Sequence, residues 1–424
     1  GGSTAITPLP EFRFDPEKLD GLKITFWHPW NGDMAIAIAD LVEEFNGSNV
    51  WGVSVELLAP GGPGMLMDLM DQNINTGALP NVLAASSEEL LFWQDKTAFL
   101  IDLNVYINEP QWGLSSQEIS EIPQGFWKQV RSNDQQVGIP ALQDLQVLYY
   151  NQGWAETLGF FSPPETLPEF QKQICEAAAE RAAVDETGGW IVDTEALTML
   201  SWIMASGSQD FADIETGVYQ FETDESEEIF TFLRNLLDEG CAWHSREPEP
   251  YDYFAHRQTL IYSGSLLDIR SQTQYMQELN SPDEWGMIPY PFQGEKPLVI
   301  ASGESYGMLN ASIEEQLASW LLMRWLILPR NQAKLAEIEG YLPVSISAIE
   351  YMQAFRKAHP KWNDALQWIP IVQSPPPLGS WLIVQYILED AAWQTFQSNS
   401  TIQAIPPILA ELDLMIPDVL ENQP

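Results

Sequence analysis

Residues 137–152, VGIPALQDLQVLYYNQ, decide how this chain is divided. An apolar run enters Gly138-Ile139-Pro140, Gln143 and Asp144 interrupt it, and a second apolar run ends at Tyr149-Tyr150-Asn151. Apolar runs rich in β-branched and aromatic residues and bounded by turn residues read as strands, and a proline fixes φ at the bend between them. The stretch therefore reads as a strand pair around a proline bend, where the chain leaves one lobe and enters another. Gly138-Ile139-Pro140-Ala141 is the hinge candidate, and Gln143 and Asp144 are the polar groups at the crossing.

Upstream, residues 23–27 read as a strand and His28-Pro29-Trp30-Asn31-Gly32 as a tight turn. Behind Asp33, the residues Met34, Ile38, Leu41, Val42 and Phe45 recur at helical spacing. Residues 53–58 form the next predicted strand, Gly61-Gly62-Pro63-Gly64 opens a helix over 65–75, and 81–85 is a third strand ending at Ser86-Ser87. This β-α-β-α-β order predicts a parallel sheet with covering helices, an α/β lobe.

Downstream, 166–183, 194–205 and 225–238 read as helices. A strand over 259–262, a Ser263-Gly264-Ser265 turn, a helix over 266–279 and a strand over 286–290 follow, with Pro289 and Pro291 marking a second crossing. Residues 298–300 and 306–309 read as two short strands, 314–328 and 332–338 as helices, and the helical tail breaks at Ser374-Pro375-Pro376-Pro377.

A chain of 424 residues fits two domains better than one, and 45% apolar residues with 17 tryptophans exclude global disorder. The 19 basic and 60 acidic residues give a net charge of −41. That sign excludes nucleic acid, whose binding requires Lys and Arg against phosphates, and adhesion to an anionic membrane surface. Its expected role is solubility in an extracytoplasmic setting. No apolar run reaches the roughly 18 residues of a membrane span. The start, GGSTAITPLPEF, has neither a basic n-region nor an apolar h-region, so residues 1–20 are expected to be a mature-end tether of the kind a lipid-anchored exported protein carries. Cys175 and Cys241 are the only cysteines. They are either two buried free thiols or one disulfide within a lobe, and export favours the bridge.

Four histidines without paired spacing and two distant cysteines offer no metal site, and no nucleophile elbow, Walker loop or dinucleotide fingerprint occurs. Catalytic residues, metal and cofactor are accordingly expected to be absent. Open α/β sheets bind ligands at the C-terminal ends of their strands. The polar and aromatic residues predicted there are Trp30 and Asn31, Ser86 and Ser87, Ser263 and Ser265, joined by Gln143 and Asp144. Asp144, a carboxyl among apolar strand residues, needs a hydrogen-bonding partner, which a sugar hydroxyl supplies. Trp30, Trp190 and Trp381 lie in predicted polar or Gly/Pro-containing turns, where an indole face can lie under a sugar ring. Trp320 and Trp325, in an apolar helix, are expected in the core.

The stretches ITFWHPWNG, VLYYN, YSGSLLDIR, WGMIPYPF and GYLPVS, in this order and spacing, resemble the extracellular solute-binding proteins of ABC importers. This is the maltose-binding-like family, and the likeness leans toward its glycerol-3-phosphate and sugar-binding branch. The resemblance spans Gly21 to about Trp393. It implies an α/β, two-lobed periplasmic-binding-protein-like fold, with an N-lobe of 21–141 plus 296–343 and a C-lobe of 142–295 plus 344–424. It also implies a ligand cleft between the lobes, closure about the crossings, a monomer, and a membrane permease as partner.

Tyr341, Gly303 and the Ser263-Gly264-Ser265 turn match ligand-contacting positions of that branch. Three departures matter. The branch's phosphate-binding arginine falls near Pro377, its acidic residue after the third strand is Ser87, and a serine at the crossing is Asp144. Losing a cation and gaining an anion disfavours phosphate and points to a neutral carbohydrate or polyol. Glycerol-3-phosphate or its diesters are the alternative within the class. A secreted glycoside hydrolase or a sugar-adhesion module are the alternatives outside it.

Overall fold

The computed structural model describes residues 15–208, 210–294 and 296–422. Of the tether expected over 1–20, residues 1–14 lie outside these. Residues Pro16–Leu19 form a 3₁₀ turn with Leu19 fully buried, so that end of the segment is part of the fold. The chain divides into two compact units, one running to Gln143 and resuming over Gly303–Met352, the other comprising Asp144–Ser302 and everything from Gln353.

In the first unit, β1 (Lys23–Trp27) pairs in parallel with β2 (Ser54–Leu58) and β3 (Val82–Ser86). The connecting helices are α1 (Gly32–Ser48) and α2 (Pro63–Ile74), and α3 (Ser87–Thr97) leaves β3 directly. α1 buries Met34, Ile38, Leu41, Val42 and Phe45, the stripe its 3.6-residue period sets. Pro63 occupies the first turn of α2, where its missing N–H costs nothing. Ser86 and Glu89 start α3 with a reciprocal capping box. The helices α2 and α3 cover one sheet face with Leu66, Met70, Leu90 and Trp93 against Leu83 and Ala85.

β4 (Ile139–Tyr150) is a single strand of 12 residues, almost entirely buried, where two strands around a bend were expected. Pro140 is its second residue; a φ near −65° is compatible with extended backbone at a strand start. Likewise β5 is Trp190–Ile191, β6 is Ala242–Trp243, and β7 (Ile261–Ser265) absorbs the predicted Ser263-Gly264-Ser265 turn as ladder residues against Val147 and its neighbours. β8 is Gly286–Ile288, and β9 (Val299–Met308) fuses two predicted strands. Gly303 inside β9 is there for close approach: a Cβ on it would stand 2.1 Å from the Leu142 carbonyl oxygen. In all three places local Gly, Pro and Ser signals gave way to ladder pairing.

β4 passes from the first unit to the second between Gln143 and Asp144, and β9 between Ser302 and Gly303. Within the first unit β9 runs antiparallel to β3, with Tyr306 opposite Ala84 and Glu304 opposite Ser86. In the second unit β7 and β8 both run antiparallel to β4, while β5 pairs in parallel with β6 and β7. The core of this unit is aromatic: Trp202 meets Phe170, Trp190 and Tyr290 edge-on at centroid separations of 5.2, 5.9 and 5.0 Å. Cys175 and Cys241 form a disulfide that closes 66 residues. By loop-closure entropy it contributes about 4 kcal/mol. Trp320 is fully buried as expected, whereas Trp325 is half-buried and donates its indole N–H to the Leu41 carbonyl at 3.1 Å. Among the described residues no helix is long and apolar enough to cross a membrane.

Candidate functional site

In the first unit the polar groups after β1 and β3 gather with β9. Ser87 is buried, and its hydroxyl lies 3.4 Å from Gln129 Oε1, 3.4 Å from the Gly303 carbonyl and 3.3 Å from Ser305 Oγ. Gln129 donates to Gln143 Oε1 at 2.8 Å, and Gln143, fully buried, donates to the Leu142 carbonyl at 3.0 Å. Leu342, next to the buried Tyr341, pairs with Gln143. Ser87, Gln143, Gly303 and Tyr341 are therefore brought together, although they lie far apart in sequence. Ser86 is occupied otherwise: its hydroxyl accepts from Glu89 N at 3.2 Å as the cap of α3. Burial pushes the Glu89 carboxyl up to about 7. Asn31 is exposed at the start of α1 and makes no side-chain capping bond. Trp30 is buried beside His28, with ring centroids 5.5 Å apart.

In the second unit Asp144 is half-buried. Leu145 N donates to its carboxylate at 2.7 Å, and the Ser265 hydroxyl is a further partner. Burial raises the Asp144 carboxyl to about 7, and the charge of Asp268 adds to the rise. Ser265 N donates to Asp268 Oδ2 at 2.8 Å, and Leu267 N donates to Ser265 Oγ at 3.1 Å, so Ser265 is a helix cap as well as a partner of Asp144. Tyr251 OH donates to Asp268 Oδ1 at 2.6 Å and Tyr149 OH to the Ser265 carbonyl at 2.7 Å. Tyr149 stacks on Tyr262 at 4.6 Å and on Trp285 at 5.6 Å, which makes an aromatic floor under this network.

A second relay lies nearby in the same unit. Gln146 donates to Thr198 Oγ1 at 2.9 Å and to Tyr290 OH at 3.1 Å, while Thr198 donates to Asp193 Oδ2 at 2.6 Å. Ser263 is half-buried against Tyr290. Burial, then the charges of Glu195 and Glu389, raise Asp193 to about 7. Burial and the charges of Glu389, Asp268 and Glu249 raise Glu195 as well. The charges that raise Asp144, Asp193 and Glu195 are those of Asp268, Glu195, Glu389 and Glu249, all carboxylates.

Two expected platforms are corrected. Trp190 is in strand β5 and Trp381 opens the helix Trp381–Thr395; both are fully buried in the core and present no face. Their Gly and Pro neighbours suggested turns, but an indole's area is better buried than exposed. Sequence reading also missed Asp193, Thr198, Asp268 and Tyr290. Of these only Asp268 carried a signal, as the acid three residues after the capping Ser265. Glu239 lies close to Cys175 and Cys241, but sulfurs joined in a disulfide are not thiolate ligands.

The architecture of strands crossing between two units, each with polar groups at strand ends, defines a solute-binding protein. The chain belongs to the bacterial extracellular solute-binding protein family, whose model matches residues 40–365. It is 22% identical over 366 residues to the sn-glycerol-3-phosphate-binding periplasmic protein UgpB of Salmonella paratyphi A, covering 82% of this chain and 80% of that one. In structure it is similar to the sugar-binding protein MalE of Xanthomonas citri, with a TM-score of 0.80, 17% identity, and coverage of 95% of this chain and 100% of that one. It is also similar to UgpB of Mycobacterium tuberculosis in complex with glycerophosphocholine, with a TM-score of 0.73, 16% identity, and coverage of 94% and 99%.

Proposed function

We propose that this protein is the substrate-binding receptor of an ABC importer, that it captures a neutral carbohydrate or polyol, and that it hands this ligand to a membrane permease. It works as a monomer outside the cytoplasm, tethered as a lipoprotein, and performs no catalysis. The ligand-contacting set is Trp30, Asn31, Ser86, Ser87, Gln143, Gly303 and Tyr341 from one unit, with Asp144, Ser263 and Ser265 from the other.

The observation that carries the ligand class is the set of carboxylates, Asp268, Glu195, Glu249 and Glu389, that act on Asp144, Asp193 and Glu195. A phosphate brought there meets the repulsion of these carboxylates, whereas hydroxyl groups donate to carboxylates and accept from protonated ones. A second reading, a glycerol-3-phosphate or phosphodiester receptor, is favoured by the names of the relatives. Thermal shift against saccharides, polyols and glycerol-3-phosphate separates the two. Ligand at 100 times its Kd adds about 2.7 kcal/mol of stability. A saccharide that raises Tm and is recovered intact supports the receptor. Release of reducing ends refutes it, and glycerol-3-phosphate outranking every neutral ligand refutes the ligand class.

A further inference from the structure

We infer that His28, Trp30 and Tyr306 form a hydrogen-bonding wall in the first unit that receives ligand hydroxyl groups, with Tyr306 a specificity-determining residue. The inference rests on the reading of the protein as a carbohydrate or polyol receptor and adds two residues that the sequence did not single out.

The registers place the wall. Phe26 of β1 is opposite Val82 of β3, and Tyr306 of β9 is opposite Ala84, so Phe26, Ala84 and Tyr306 share one sheet face. Chain alternation carries His28 to the same side at the C-terminal end of β1. The rings are in contact: Phe26 with His28 at 5.6 Å, His28 with Trp30 at 5.5 Å, Trp30 with Tyr306 at 6.2 Å, and Phe26 with Tyr306 at 6.0 Å. His28, Trp30 and Tyr306 are 2%, 6% and 0% exposed. His28 Nδ1, Trp30 Nε1 and Tyr306 OH are all buried without a hydrogen-bond partner in the protein.

One orphaned indole N–H in a core is unexceptional, and Trp93, Trp190, Trp202 and Trp381 each have one. An orphaned indole and an orphaned phenol in touching rings, beside a histidine whose ring also bonds the Trp30 backbone, need a common account, because buried polar groups are almost always partnered. Burial holds His28 down at about 4 and the Tyr306 phenol well above its ordinary value, so both are uncharged near neutral pH. The wall then offers an indole donor, a phenol that donates and accepts, and an imidazole that does one or the other at Nδ1. Hydroxyl groups, which also do both, match it. An anion does not, since none of the three groups supplies positive charge and the Glu304 carboxylate acts on Tyr306.

Tyr306→Phe removes the phenol hydroxyl and keeps the ring, and Trp30→Phe removes the indole N–H together with part of the indole. The full chain and both variants are titrated calorimetrically with maltose, maltotriose and sorbitol, and with glycerol-3-phosphate as the anionic probe. The expected result is a loss of roughly 3- to 10-fold in affinity for the neutral compound that the unaltered protein binds, with Tm of ligand-free Tyr306→Phe unchanged or raised and that of Trp30→Phe lowered by its smaller ring. Unchanged affinity with lowered Tm overturns the inference, because the phenol would then be satisfied inside the fold. An unaltered protein that binds only glycerol-3-phosphate sinks the receptor reading itself, a failure distinct from the first. If Tyr306→Phe does not fold, Trp30→Phe decides by the affinity of its folded fraction alone.

Discussion

Replacing Asp144 with asparagine keeps the shape and removes the charge, and its effect on stability depends on pH in a calculable way. The ordinary aspartate value of 3.8 rises to about 7 in the fold, chiefly through burial. Folding therefore favours the protonated form. The stabilisation is fully present below about pH 4 and is lost as pH rises through about 7. At about 1.4 kcal/mol per unit, three units amount to roughly 4 kcal/mol of destabilisation in the ionised protein at pH 8. The value of about 7 already includes the bonds from Leu145 N and Ser265, which lower it, and asparagine retains an acceptor for the first. Asp144→Asn should match the unaltered protein at pH 4 and exceed it by roughly 2–4 kcal/mol at pH 8. Urea denaturation followed by a signal from the second unit, at pH 4 to 8, measures the difference; two units need not unfold together. A flat difference across that range, or a less stable variant at pH 8, would refute the reasoning and mean that the native carboxylate is ionised and satisfied. Asp144→Ala should in addition weaken saccharide binding while the fold persists. Unchanged binding would reduce this part of β4 to a connector.

Reduction of the Cys175–Cys241 bridge, or Cys175→Ala with Cys241→Ala, should cost about 4 kcal/mol, read as a lower urea midpoint with and without reductant. Gly303→Ala places a Cβ 2.1 Å from the Leu142 carbonyl oxygen. The backbone must shift, so a loss of at least about 2 kcal/mol is expected by denaturation, with weaker ligand binding by calorimetry. Trp190→Phe and Trp381→Phe should lower stability by roughly 1–3 kcal/mol and leave the affinity of the folded fraction unaltered, since both indoles are core. A selective loss of affinity would restore them as platforms. Ser86→Ala should cost about 1 kcal/mol as a lost helix cap, measured by thermal melting.

Much of the fold follows from local signals. The five-residue stripe of α1, Pro63 opening α2 and the Ser-Glu pair opening α3 each state their structure within a few residues. The strand ends that precede Trp30 and Ser87 were legible for the same reason. Local signals failed where glycine, serine or proline suggested a turn and a neighbouring strand overruled it, as in β4, β7 and β9. They failed again for Trp190 and Trp381, whose neighbours looked like loop while their own surface demanded a core.

The sequence by itself determined the class of fold and the points at which polar groups interrupt buried strands. Periodicity, capping residues and composition act over a few residues and need no partner. Only the tertiary structure decided which distant groups meet: Ser87 with Gly303, Gln129 with Gln143, Asp144 with Ser265 and Asp268, and the orphaned trio of His28, Trp30 and Tyr306. Burial and hydrogen bonding there depend on contacts between residues far apart in the chain, 216 positions for Ser87 and Gly303, and no local pattern encodes them.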